Sequence, residues 1–551
     1  MREKRGYPLP LGISEKEGYI NFSIVVEQDK ECILRLYKKG AETPTAELLL
    51  SQEDAEGEVR YIALAKADVK AMEYQYVVDG VPVVDPYAKS VVECEGVPVR
   101  ARVMAEEYDW EGDRPLGIPY HEVIAYNLHV RGFTKHRSSK VKKKGTFQGV
   151  IEKIPYLQEL GINQIQCMPV YSFEEHTQYH NYWGYGDAYC FAVKNAYAAG
   201  KSPERELKDM VKACHKAGIE VVLHLPYAES TSKQIILDSL RYYRMEYHID
   251  GFVLNPHIAP MEVILSDPIL KTTKILQNRD EFQFAMRRFL KGEDDALNGL
   301  IWWLRQRTKD SGSCNYITNH TGFTLADLVS YNEKHNEANG EGNQDGPDYN
   351  CSWNCGVEGN TRKKAVLELR KRQMRNAMFL LMTAQGTPSI LAGDEFGNSQ
   401  KGNNNVYCQD NEISWLDWKG LEKNSEFFEY VKSLIALRKH YPILHKEEAL
   451  LGADRIGCGV PDVSYHGESA WQAPTASQSR QLGVYYHSDA DAVKDCFIAY
   501  NMHEGMKPFA LPSLPKGKKW YPVFTTADEK TLAEQKLVCV EGRTIVMFEG
   551  R

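Results

Sequence analysis

From about His121 the chain settles into a regular alternation of strand-like and helical stretches, and this rhythm constrains the fold more than any other feature. The apolar runs VIAYNLHV, INQIQCMPVY, IEVVLHLPY and DGFVLN are separated by helical periodicity at Val150–Leu160, Glu204–Ala217 and Ser232–Tyr247. Strands that alternate with helices form a parallel sheet, because successive parallel strands need a crossover and a helix is the usual one. TKILQN (273–278), DEFQF, CNYITNH and PSILAGDEF supply the later strands. The helical stretch KKAVLELRKRQMRNAMFLLMTA is stopped by Gly386-Thr387-Pro388. Eight such units close a (β/α)8 TIM-type barrel, an α/β fold whose functional residues sit at the C-terminal ends of the strands.

The flanks read differently. Residues 7–100 alternate short apolar runs with Gly and Asp turns, and after Tyr441 the runs QLGVYYH, DCFIAYNMH, KWYPVF and RTIVMFEG repeat the pattern. Period-2 runs of this kind predict β-sandwiches. The expected division is therefore a sandwich at 1–105, a barrel at 106–440 and a second sandwich at 441–551. A net charge of −8 argues against nucleic acid or a polybasic membrane contact. No apolar stretch approaches the ~18 residues of a membrane span. The opening MREKRGYPLP has no apolar signal core, and the 12 cysteines are scattered, which together predict a cytoplasmic protein with reduced thiols. Cys351 and Cys355 do not have zinc-type spacing, and the run YNEKHNEANGEGNQDG (331–346) lacks the spacing of a calcium loop. No metal or cofactor is expected; that run reads as a loop hydrogen-bonded over the barrel face. Trp302 and Trp303 fall in a helical pattern and read as core.

Several longer strings are specific. HVRGFTKH (129–136), KGTFQGVIEKIPYLQELGI (144–162), NYWGY (181–185), FTLADLVSYNEKHNEANGEGNQDG (323–346), SWNCGVEG (352–359) and AGDEFGNSQKGNNNVYCQDNEISWLDW (392–418) together resemble glycoside hydrolase family 13. Within it they are similar to the isoamylase and glycogen-debranching branch, from about residue 7 to 551. The resemblance implies a carbohydrate-binding module of CBM48 type at the N-terminus and α-1,6-glucosidase ancestry for the barrel. Such an enzyme needs a carboxylate nucleophile and a carboxylic acid ~5–5.5 Å apart, flanking an oxocarbenium-like transition state. The family carries the nucleophile as an Asp after strand 4 (GFRxD), the acid as a Glu after strand 5, and a third Asp after strand 7.

At those positions this chain departs from the pattern. Strand 4 reads DGFVLNP, so Val253 replaces the Arg and Asn255 the nucleophile. Aligning SDPILKTTKILQN with the strand-5 segment puts Asn278 at the acid. ITNHTGF keeps His320 and puts Thr321 in place of the third Asp. On strand 3, GIEVVLHLPYAE places His224, Ala228 and Glu229 where the family has Asp, Asn and His. Few residues separate Asn255 from SDPIL, so the barrel is expected to be trimmed around strands 4–6. An amide provides neither a negative charge for the oxocarbenium ion nor an acidic proton, and general acid–base catalysis alone contributes ~10²–10⁴-fold.

The resemblance gives Tyr185, Trp183 and His320 as sugar-binding candidates. The expectation is a catalytically impaired relative that binds α-glucan (glycogen or a branched maltooligosaccharide), alone, as a homo-oligomer or with an active debranching enzyme. Two alternatives stay open. One is an active hydrolase with displaced carboxylates, from Asp250, Glu229, Asp267 or Asp280; the other is a scaffold that binds no sugar.

Overall fold

The computed structural model describes residues 1–94, 97–103, 107–200, 202–306, 312–488, 494–514, 517–527 and 537–551. At its centre is a closed parallel barrel of seven strands. These are β1 (Ala125–Leu128), β2 (Gln164–Cys167), β3 (Glu220–His224), β4 (Gly251–Val253), β5 (Lys274–Asn278), β6 (Gly312–Asn315) and β7 (Thr387–Leu391). The ring closes where Ala125 of β1 pairs with Ser389 of β7.

Among the described residues the ring has seven strands, one fewer than eight, in the stretch where trimming was expected; the correction concerns DEFQF, which is not a strand. Phe-Gln-Phe fits period 2 over a few residues. Read further, Phe282, Met286, Phe289 and Leu290 recur at helical spacing and are all buried. The segment is a helix, Asp280–Lys291, which ends at Gly292 with φ +81°. β5 therefore pairs directly with β6, Leu276 opposite Gly312 and Asn278 opposite Cys314. Two glycines admit this closure. A β-carbon at Gly312 would lie 2.5 Å from the Leu276 side chain and 2.3 Å from the ring of Tyr120, and one at Gly251 would lie 2.6 Å from the Lys274 carbonyl oxygen. Both sit on strands flanking β5, where only a hydrogen leaves room.

The helices follow their sequence signals. α1 (Pro203–Lys216) starts at Ser202, whose hydroxyl accepts from the Arg205 amide, and carries Glu204 and Glu206 in its first turn. Both features suit a helix N-terminus. Its buried stripe of Leu207, Met210, Val211 and Cys214 packs into the core that surrounds the barrel. α2 (Lys233–Glu246) precedes β4; α3 (Asp280–Lys291) and α4 (Ala296–Arg305) form a hairpin between β5 and β6. The predicted single helix through Val150–Leu160 is two short ones, Phe147–Glu152 and Ile154–Leu160, broken ahead of Pro155.

On the N-terminal side a four-stranded and a six-stranded antiparallel sheet share a core of Phe22, Ile24, Leu34, Leu36, Tyr74 and Tyr76. On the C-terminal side a five-stranded sheet packs on a two-stranded one around Tyr485, Phe497, Phe509, Val538 and Phe548. The expected boundary at 105/106 lies outside the described residues. The helix Ser425–His440 ends where the second boundary was expected. Among the described residues no helix is long and apolar enough to cross a membrane.

The 331–346 loop is held by uncharged amides. Asn336 and Asn404 exchange two hydrogen bonds, of 2.8 and 2.9 Å, and Asn403 donates to Asn339 at 2.9 Å. Asp345 accepts from Asn339 at 2.7 Å and from Asn405 at 2.9 Å. Among the described residues no group of three potential metal ligands comes together.

Candidate functional site

The C-terminal ends of β3, β4 and β5 open into a cavity of about 770 Å³. Barrel side chains point inward at every second residue, so the last inward residue of each strand and the first of the following loop form the mouth. His224 closes β3, Val253 closes β4 with Asn255 two residues on, and Asn278 closes β5. His320 and Thr321 follow β6, and Tyr185 reaches in from the loop after β2. One cavity thus collects Asn255, Asn278 and Thr321, the residues expected from the sequence at the nucleophile, acid and third-carboxylate positions.

The polar groups here are mostly neutral. Asn255 and Asn278 are exposed to the cavity. The Asn255 side-chain oxygen accepts from the His257 amide at 3.0 Å, and the Thr321 hydroxyl donates to the Asn319 side-chain oxygen at 3.0 Å. Tyr185 Oη lies 2.6 Å from His320 Nε2, and the rings of His224 and His320 meet edge to face at 5.1 Å. Burial pushes His224 down to about 4, and burial together with the neighbouring His224 holds His320 well below the ordinary histidine range. Both rings are neutral near pH 7, and the Nδ1 atom of each is buried with no hydrogen-bond partner. Trp183 does not line this cavity. It packs behind it, its ring 5.2 Å from that of His320 and 5.6 Å from that of Tyr185.

Three of the alternative acids lie elsewhere. Asp250 precedes β4 and is therefore at the opposite, N-terminal end of the barrel. It accepts from His215 Nε2 at 2.8 Å and from the Leu116 and Val221 amides. Asp267 is buried under α2 and bound by Arg241 Nε at 2.9 Å. Burial raises it, but Arg241 and the Leu270 and Ile269 amides outweigh this and hold its carboxyl below the usual range. Glu229 is exposed outside the cavity. Only Asp280 reaches the cavity wall, where it accepts the Tyr316 hydroxyl.

Arg279, Glu281 and Trp303 also line the cavity and were missed as site residues. Arg279 and Glu281 adjoin Asn278 at a strand end, which was the available signal. Trp303 was read as core together with Trp302. Trp303 is half-buried, packs against the barrel core and also lines the cavity, whereas Trp302 is 52% exposed.

The profile of the α-amylase catalytic domain matches residues 131–245. Isoamylase 1 from the chloroplast of Arabidopsis thaliana is 31% identical, over 95% of this chain and 85% of its own. The chain belongs to glycoside hydrolase family 13, in its isoamylase and glycogen-debranching branch. A GlgX homologue of Mycobacterium tuberculosis is also 31% identical, over 80% of this chain and 77% of its own. Among solved structures, a pullulanase from Paenibacillus barengoltzii superposes with a TM-score of 0.77 at 19% identity, covering 99% of this chain and 96% of that one. The alignment with the Arabidopsis family member runs over 680 positions against a chain of 551, so at least 129 positions of it face gaps here.

Proposed function

We propose that this chain is a debranching-enzyme-like protein of α-glucan metabolism that binds α-glucan at the barrel mouth without normal turnover. The observation that carries this reading is the composition of the cavity wall. Asn255, Asn278 and Thr321 stand at the reacting positions. Among the described residues, the only carboxylates in the wall are Asp280 and Glu281, neighbours in the first turn of α3. Successive helical residues diverge by ~100°, so these two do not face each other across a sugar as nucleophile and acid must. Tyr185 and His320 at the same mouth supply an aromatic surface and a neutral ring nitrogen suited to sugar hydroxyls. The solved pullulanase relative was crystallised with maltohexaose and alpha-cyclodextrin, which supports the choice of glucan.

The same proposal includes a CBM48-type role for the N-terminal sheets, the division at 1–105, 106–440 and 441–551, and assembly with an active debranching enzyme. It also includes a cytoplasmic setting, which the free thiols of the described cysteines fit. The second reading, an active hydrolase with a displaced acid, draws on the position of Asp280 in the cavity wall.

Pure protein incubated with glycogen is expected to release no reducing ends above a blank, while calorimetry with maltoheptaose is expected to give a binding isotherm. Clear turnover removes the non-catalytic reading. Absence of binding leaves the scaffold without sugar.

A further inference from the structure

Beside the emptied reacting positions the cavity has a second wall. Arg279 follows Asn278 at the end of β5, and Trp303 lies on α4, between α3 and β6. Both line the same cavity as Tyr185 and His320. The Trp303 indole packs against the barrel core, and the Arg279 guanidinium stands over it, 5.5 Å from the ring centre, in a cation–π contact. It is half-buried, and burial lowers its pKa against the opposing pull of Glu281. No hydrogen bond or ion pair engages it among the described residues, although a guanidinium presents five N–H donors in a fixed plane.

A guanidinium stacked over an indole still presents its in-plane N–H donors to acceptor oxygens in the cavity. The nearby carboxylates do not take this role: Asp280 is bonded to Tyr316, and Glu281 makes no ion pair with Arg279. The wall therefore offers an indole ring beside a fan of free donors. A sugar ring has the matching surface, with C–H faces that lie on an aromatic ring and equatorial hydroxyls at its rim that accept hydrogen bonds.

We infer that Trp303 and Arg279 form a glucose-binding subsite, separate from the Tyr185–His320 position, that stacks and holds one residue of a neutral α-linked glucan chain. This rests on the glucan-binding reading above. The indole supplies apolar contact and Arg279 donates to ring hydroxyls. The two replace, for binding alone, charged contacts the cavity has given up.

The test is calorimetric titration of the full chain with maltoheptaose, together with quenching of tryptophan fluorescence. Trp303→Ala and Arg279→Met are each expected to weaken binding at least tenfold. Trp302→Ala, a change on the exposed face outside the cavity, leaves affinity within twofold. Circular dichroism melting of each variant reports whether the barrel is intact, and Trp303→Phe, which keeps a ring in the wall, restores most of the affinity lost in Trp303→Ala. Wild-type binding that persists unchanged in folded Trp303→Ala and Arg279→Met overturns the subsite but leaves glucan binding standing. No wild-type binding overturns the functional reading, and the subsite with it.

Discussion

Replacing Asp280 with Asn separates the two readings of the cavity. Asp280 is the first residue of α3, is exposed, and accepts the Tyr316 hydroxyl. Asn keeps an acceptor of the same shape, so the substitution removes only a charge. Loss of a negative charge at a helix N-terminus costs ~0.3–1 kcal/mol. Turning a charge-assisted hydrogen bond into a neutral one costs a similar amount. Exposure keeps the sum near 1 kcal/mol, a melting shift of about 1 °C for a chain of 551 residues. Were Asp280 instead the displaced general acid, its removal would cost ~10²–10⁴-fold in turnover. The assay is reducing-end release from glycogen by wild type and Asp280→Asn, with thermal melts of both. The expected result is two rates at the level of the blank and a small drop in melting temperature. Wild-type turnover well above the blank that falls a hundredfold or more in Asp280→Asn would refute the reasoning.

Three further outcomes follow from the same geometry. Asn255→Asp combined with Asn278→Glu is expected to raise reducing-end release at least a hundredfold over either single change, since nucleophile and acid act as a unit. Both positions are exposed, so stability should stay within ~0.5 kcal/mol, and a double variant no faster than the singles would count against the alignment of Asn278. With His224 near 4 and His320 well below the ordinary range, maltoheptaose affinity is expected to vary less than twofold between pH 5.5 and 8; an ordinary histidine near 6.5 would go from about 90% to almost no charge over that interval. His215 has the opposite sign. Burial lowers its pKa, but the Asp250 and Asp113 carboxylates raise it above the ordinary value overall. The stability it contributes is therefore complete below pH ~6.5 and is lost as pH rises through the raised folded value. His215→Gln should shift the urea midpoint more at pH 6 than at pH 9, and equal shifts would contradict the ion-pair account.

The sequence was most legible where a pattern runs long. The strand–helix rhythm from His121 led to the parallel barrel, and the helical stretch Glu204–Ala217 matched α1 to within a residue at each end. DEFQF failed because five residues are too few to separate period 2 from period 3.6. Extending the window to Leu290 would have shown the helix and removed the false strand. At the site, motif positions were legible because each strand end projects into the mouth, so Asn255, Asn278 and Thr321 could be brought together on paper. Asp250 was misplaced for the same geometric reason: it stands at the start of β4, and a parallel barrel sends the two ends of a strand to opposite faces. Trp303 escaped because periodicity tells which helix face an aromatic occupies but not whether that face meets core or cavity. The place of Arg279 over the Trp303 ring belongs to the packing of α3 against α4 and leaves no mark in the chain.

The closure at Gly312 also raises a question of parity. In a ring of eight strands, inward side chains come from alternate strands, so every layer draws four. A ring of seven cannot alternate all the way round. Somewhere two neighbours must share a level. Around β4, β5 and β6 the interior is apolar, with Val253, Leu276 and Cys314 in one cluster, while Gln166 of β2 donates to Gln164 and Cys314 and accepts from Ser389. Restoring an eighth strand would thus be more than an insertion. It would separate Leu276 and Asn278 from Gly312 and Cys314 and re-phase each level around the ring. Substitutions at the mouth, such as Asn255→Asp and Asn278→Glu, leave this pairing untouched, so the chemistry of the mouth can be varied without altering the closure of the ring.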